Sequence, residues 1–173
     1  MVSVILLYLI PFSAILSESS TYHLEKIENP TPLSTTVIIP CHHLHAQFLH
    51  DVLLSYTYQT VLPDEIVISL SETDKIPKIL IESITKESWP FKTVLLLSEA
   101  PQTEGQNRNN AGQHASGQIL ICHDADDFPS PQRIEIIRYF FENYDIVHLL
   151  HSFNLFQPDI EISKIELFKK NLS

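Results

Sequence analysis

Three carboxylates crowd one short stretch of the chain: Asp124, Asp126 and Asp127, in GQILICHDADDF (residues 117–128). The run before them is apolar apart from a thiol and an imidazole, so a segment built for burial ends in dense negative charge. On an extended backbone, residues two apart point the same way. Asp124 and Asp126 can therefore share one hard divalent cation, Mg²⁺ or Mn²⁺, and such a cation can hold a diphosphate. A plainer reading is that Asp126 and Asp127 cap a helix opened by Pro131, or close an Asx turn. Three acids after a fully apolar strand weigh against it. A second cluster, CHHLH at 41–45, has the residue types of a transition-metal site. Cys41, His42 and His43 are adjacent, however, and adjacent residues on an extended backbone point apart, which argues against zinc.

The elements around these residues alternate. TTVIIP (35–40) reads as a strand stopped by Pro40. LHAQFLHDVLLSYTYQT (44–60) follows, with Leu44, Phe48, Leu49, Val52, Leu53 and Tyr56 at helical spacing. DEIVISL (64–70) predicts a second strand, KIPKILIESITKES (75–88) a helix with Ile79, Leu80 and Ile84 inward, and KTVLLLS (92–98) a third strand. NRNNAGQHAS (107–116) predicts a short helix and QILICH (118–123) a fourth strand. PQRIEIIRYFFENY (131–144) predicts a helix and DIVHLLHS (145–152) a fifth strand. Strands alternating with helices imply a mainly parallel sheet covered on both faces, an α/β/α sandwich of Rossmann-like type. In such sheets the ligand crevice lies at the carboxyl ends of the strands, where the strand order reverses. The acids follow the fourth strand directly, so the fold delivers them to that crevice.

The 173 residues suffice for one domain with a real core. With 11 Lys and Arg against 21 Asp and Glu, the formal charge is -10. Such a surface repels a phosphate backbone, so a nucleic-acid polymer is not an expected partner, whereas a small anion held through a metal is. Residues 1–17 are apolar until Ser17 and resemble a signal-peptide core or membrane anchor, though without the preceding Lys or Arg. Export or membrane association through the N-terminus is the expectation, with a cytoplasmic location left open. Residues 18–34 are polar and proline-punctuated and read as a linker; the domain is expected over 35–153, with 154–173 as a C-terminal segment.

TTVIIPCHHLHAQFLHDVLLSYTYQTVLPDEIVIS and RNNAGQHASGQILICHDADDFPSPQRIEII together resemble the donor-binding half of family 2 glycosyltransferases, which have the GT-A fold of the nucleotide-diphospho-sugar transferase superfamily. The resemblance rests on the order of Pro40, Gln59-Thr60, Pro63 with Glu65, Arg108-Asn109, Ala111, Ala115, Gly117 and Asp124 to Asp127, over about residues 35–140. It implies transfer of a sugar from a nucleoside-diphosphate donor to a saccharide, lipid or protein acceptor, with Mn²⁺ or Mg²⁺ as cofactor. Asp126 is then the expected metal ligand, with Asp124 touching the metal or the ribose. Pro40, Cys41, His42, Ser71, Arg108 and Ala125 complete the expected donor site. Arg108 would reach toward the diphosphate or pair with Asp124, and His42 could stack on a nucleobase.

Two departures qualify that expectation. The pair of acids that the family carries after its second strand is replaced by Leu70 and Ser71, leaving Ser69, Ser71 or Glu72 to substitute by hydrogen bonding. No acid stands in a recognisable general-base motif; Asp159 and Glu161, in PDIE, are the nearest candidates. These gaps support an alternative, a non-catalytic nucleotide-sugar-binding or interaction module of the same fold. Lastly, Cys41 and Cys122 would lie near the ends of neighbouring strands, within disulfide reach in an exported protein, against the commoner outcome of two buried thiols.

Overall fold

The computed structural model describes residues 24–150. Four strands form one all-parallel sheet: β1 (Thr35–His42), β2 (Glu65–Ser71), β3 (Lys92–Ser98) and β4 (Ile119–Cys122), in the order β3-β2-β1-β4. The chain builds β1, β2 and β3 outward in one direction and then returns to place β4 on the other side of β1. The order therefore reverses between β1 and β4, the place where open sheets of this kind put their ligand crevice, at the carboxyl ends. Register runs from Thr35↔Ile119 to Ile38↔Cys122, and the amide of His123 extends the ladder to Ile38 O at 3.1 Å.

Four helices cover the sheet: α1 (Leu49–Tyr56), α2 (Lys78–Thr85), α3 (Glu104–His114) and α4 (Arg133–Asn143). Alternation along each strand divides the core in two. Val37, Ile39, Ile66, Ile68, Leu70, Ile119 and Ile121 face one side and pack with Leu49, Val52, Leu53, Tyr56, Ile84, Ile134 and Ile137 of α1, α2 and α4. Ile38, Val67 and Cys122 face the other and meet Ala111 and Ala115 from α3 and its end. This is the expected three-layer GT-A-type α/β/α sandwich. A helix as polar as EGQNRNNAGQH can cover a sheet face because its inward positions are small or amide-bearing, and because Thr103 and Gln106 close a reciprocal capping box at its start.

Several details differ from the sequence reading. The first predicted helix is two pieces, a 3-10 segment His43–Phe48 followed by α1, so helical spacing fails at its start and Leu44 and Phe48 are exposed rather than inward. Ile79 is exposed as well, because α2 begins only at Lys78 and turns Ile84 inward instead. Pro131 does not open α4; it precedes the N-cap, Gln132. Among the described residues 145–150 no fifth strand forms. The backbone there is taken by an N-terminal segment: Lys26 bridges Tyr144 antiparallel, and the Asp145 amide donates to Glu25 O at 2.9 Å. Cys41 and Cys122 do not form a disulfide. Cys122 lies opposite Ile38, three positions short of Cys41, and that odd offset sends the two thiols to opposite faces of the sheet.

At the amino ends of the strands, buried Glu65 joins three of them. Its Oε2 accepts from Thr36 Oγ1 at 2.7 Å, Ser116 N at 2.7 Å and Ser116 Oγ at 3.0 Å, while Lys92 Nζ lies 2.6 Å from Oε1. Burial pushes this carboxyl up, but Lys92, Ser116 and Thr36 outweigh it and hold it down to about 2. A depressed carboxyl stabilises the fold above its unfolded value near 4.5 and loses that contribution as pH falls toward 2. Glu65→Gln is therefore expected to lower unfolding free energy at pH 6 by about 2 kcal/mol, less than full linkage because Lys92 is exposed and screened. In urea titrations at pH 6, 4 and 2.5 the gap between wild type and variant should close as pH drops; a constant gap would contradict the assignment.

Candidate functional site

The crevice at the carboxyl ends is assembled from three loops. After β4, Asp124 to Asp127 make a turn in which the Asp127 amide donates to Asp124 O at 3.3 Å. Ala125 is buried and packs with the main core, while Asp124, Asp126 and Asp127 are exposed, so one small residue anchors a loop whose charges face solvent. None of these carboxylates caps α4. The Ile134 amide is taken by Gln59 Oε1 at 3.1 Å, which removes capping as the reason for the acids. Burial and the charges of Asp124 and Asp126 push the Asp127 carboxyl up, against the lowering influence of Arg133. The turn thus gathers three carboxylates, with Arg133 acting on Asp127 from behind.

Gln59-Thr60 fixes the chain leaving this turn. Gln59 Nε2 donates to Ser130 O at 2.7 Å, the Thr60 amide donates to Pro131 O at 2.8 Å, and Thr60 Oγ1 to Glu135 Oε2 at 2.9 Å. Arg133 Nη2 donates to Cys122 O at 2.7 Å, tying α4 to the last residue of β4. These contacts hold the acid turn from behind.

From the other side of the sheet, α3 presents Arg108. Its Nη2 lies 3.5 Å from Asp124 Oδ1 and also pairs with Glu104 one turn back on the helix. Arg108 is placed by its neighbour Asn107, which is 1% exposed. Asn107 Nδ2 donates to Cys41 O at 3.3 Å and Ser71 Oγ at 3.1 Å, and its Oδ1 accepts from Ser69 Oγ at 2.9 Å. Asn110 Nδ2 adds a bond to Ser69 Oγ at 3.0 Å. The helix is pinned to the ends of β1 and β2 by amides, one residue from the guanidinium that reaches the acids. Ser69 was expected only as a substitute for the missing acid pair, and Asn107 was not among the expected site residues; the cue was an Asn-rich helix with almost no apolar side chains.

The third loop is the 3-10 segment after β1. His45 Nδ1 lies 3.2 Å from Asp126 Oδ2, so this loop already supplies positive polarity to the expected metal ligand. His42 and His43 turn to Glu72, which follows β2: His42 Nε2 is 2.5 Å and His43 Nδ1 3.0 Å from Glu72 Oε2. The expectation that adjacent histidines point apart fails here. Extended backbone ends at His42 and the 3-10 segment begins at His43, so the two rings come within 4.2 Å, tilted by 44°. Lys75 pairs with the same Glu72, and hydrogen bonding to Lys75 and His43 holds that carboxyl down to about 2.

Of the expected donor-site residues, Arg108, Asp124, Ala125 and Asp126 meet at the acid turn, whereas His42 is engaged by Glu72 across the β1 and β2 ends. Pro40, Cys41 and Ser71 are buried in the sheet. The Ser71 hydroxyl is occupied by Asn107, and burial together with the Asp126 charge pushes the Cys41 thiol up to about 12, which keeps it protonated. Asp159 and Glu161 lie outside the described residues, as do the N-terminal apolar segment and residues 154–173. Among the described residues no helix is long and apolar enough to cross a membrane.

Comparison with protein families matches the glycosyl transferase family 2 model over residues 36–159, well over half the chain and across every loop of this crevice. The chain belongs to glycosyl transferase family 2. Comparison with curated proteins returns no match. Family 2 membership makes this a glycosyltransferase-like protein in fold and general function and implies a nucleotide-sugar donor and an acceptor. Members of the family typically use divalent metals. In family 2 terms, the sheet delivers the acid turn at the reversal of strand order, Gln59-Thr60 braces it, and α3 brings Arg108 to it.

Proposed function

We propose that this family 2 protein binds a nucleoside-diphosphate sugar at the crevice between β1 and β4 and transfers the sugar to an acceptor. The observation that carries the reading is the placement of Asp124 and Asp126 at the reversal of strand order, exposed and relieved of any capping role, with Arg108 3.5 Å from Asp124. The donor set fits Mn²⁺ or Mg²⁺: the carboxylates are hard oxygen ligands, gathered in one exposed turn whose charge a dication would offset. When bound, such a cation neutralises charge on the departing diphosphate. Asp126 and Asp124 would hold it, and Arg108 would add a fixed positive charge beside the phosphates. His45 competes for Asp126 and would be released when a cation binds there.

Thermal denaturation with Mn²⁺ plus a panel of nucleotide sugars tests this. A matching donor at a hundredfold excess over its Kd adds about 2.7 kcal/mol, a rise in melting temperature on the order of 5–10 °C. Asp126→Ala should abolish that rise. No shift with any nucleoside diphosphate or its sugar would overturn the reading. Transfer and donor hydrolysis, assayed alongside, separate turnover from binding alone.

A further inference from the structure

We propose that His42, His43 and Glu72 form a binding site for a divalent transition-metal ion of the zinc class, separate from the acid turn. Among the described residues these three bring one ligand atom each to within 4.8 Å of one another. Tetrahedral zinc ligands with bonds of about 2.0–2.1 Å stand roughly 3.3 Å apart, so small side-chain shifts would close the set around an ion. Both imidazoles meet the same carboxylate oxygen, Oε2, while Lys75 occupies Oε1. Two nitrogens and one carboxylate oxygen suit Zn²⁺ or Co²⁺ and are a poor match for Mg²⁺ or Ca²⁺, which favour all-oxygen shells. Three protein ligands leave a fourth position for water or an exogenous group.

The backbone is shaped for this convergence. Parallel pairing of His42 with Ser71 sets the end of β1 beside the end of β2, and Glu72 is the next residue. It is the sole non-glycine residue at positive φ among the described residues, with φ 55° and ψ 46°. Side-chain-bearing residues adopt that left-handed geometry infrequently, and they do so disproportionately at functional turns. Here Glu72 leaves the strand in it with its carboxylate directed at both histidines. His42 Nδ1 meanwhile accepts the Leu44 amide at 3.5 Å, the outer limit of a hydrogen bond. Coordination through Nε2 would place the ring proton on Nδ1, exchanging that weak bond for a metal bond. Cys41 is excluded from the set, since its side chain packs in the core on the α1 side.

The site shares the loop after β1 with the donor crevice but uses none of the acid turn, and it holds with or without sugar transfer. Its test uses the tag-free full chain stripped with a chelator and titrated with CoCl2, followed by displacement with ZnCl2. A visible tetrahedral cobalt band saturating at one equivalent is expected. His42→Ala and Glu72→Gln should each weaken cobalt binding by about tenfold or more, while His50→Ala, on a surface histidine paired with Glu87, should not. The His42 side chain is 41% exposed, so its removal leaves the core intact, and circular dichroism confirms the fold of each variant. Absence of stoichiometric binding in the wild type overturns the proposal, as does undiminished binding in His42→Ala.

Discussion

Gly117→Ala is expected to lose roughly 3 kcal/mol or more of folding stability, a large part of what a domain of this size has. The reason is local and steric. A Cβ at Gly117 would sit 2.6 Å from both Thr36 N and Thr36 Oγ1 and 2.7 Å from Thr35 C, closer than carbon approaches such atoms. The neighbours are the backbone and branch point of β1, so no flexible side chain can swing away. Withdrawal of the Gly117 segment is opposed by three bonds: its own amide to Thr36 Oγ1 at 2.8 Å, and the Gln118 and Ile119 amides to Ser34 O at 2.9 Å each. These bonds start the β1–β4 ladder, so the clash acts on the strand that delivers the acid turn. The other glycines supply internal controls of opposite sign. Gly112 lies inside α3, and its Cβ would meet only Leu120 Cδ1 at 4.0 Å. Gly112→Ala should therefore stabilise by about 0.5–1 kcal/mol through helix propensity. Urea unfolding of both variants checks the pair, and a mild effect at Gly117 would mean that the β4 entrance is more plastic than its contacts indicate.

The same segment marks how far sequence could lead. Parallel strands flanked by helices write themselves as apolar runs, whether fully buried like VIIP, EIVISL and ILIC or half-buried at the sheet edge like TVLLLS, so all four were legible, and with them the α/β class and the position of the acids at the crevice. The run DIVHLLHS has the same signature yet makes no strand over its described residues, and Tyr144 and Asp145 bond to residues 25–26 instead. Leu44, Phe48 and Ile79 misled for a related reason: periodicity shows that apolar residues repeat but not where the first helical turn begins. The acids themselves were plain in the sequence, whereas their supports were not. Gln59 acting on Ser130 and Ile134, Arg133 on Cys122, and Asn107 on Cys41 are contacts between residues 11 to 75 positions apart, and nothing local announces them. His42 and His43 show the opposite failure: the alternation rule was sound for a strand, but the strand ended between them.

Asn107→Ala is expected to destabilise by about 2–3 kcal/mol and to weaken the hold on Arg108. In the wild type one buried amide satisfies three groups: it donates to Cys41 O and Ser71 Oγ and accepts from Ser69 Oγ. Truncation leaves Ser69 Oγ with its bond from Asn110 Nδ2 and Ser71 Oγ with a long contact to Cys41 O, in a space too enclosed for easy hydration, since Ser69 and Ser71 are 1% and 0% exposed. An unsatisfied buried polar group carries a larger penalty than the net gain of the bond it made, which is why the loss should exceed that of an exposed Asn. Because the groups act as one network, Ser69→Ala in the Asn107→Ala background should cost less than in the wild type, with a coupling of about 1 kcal/mol. Additive losses would show that Asn107 contributes packing alone. The amide also fixes the rotation of α3 against the β1 and β2 ends, and Arg108 is the next residue, 3.5 Å from Asp124. If the crevice holds a diphosphate as proposed, the double variant should stay weak in donor binding although Ser69→Ala costs it little further stability. Stability follows the pairing of buried groups, whereas donor binding follows the direction in which α3 aims its guanidinium.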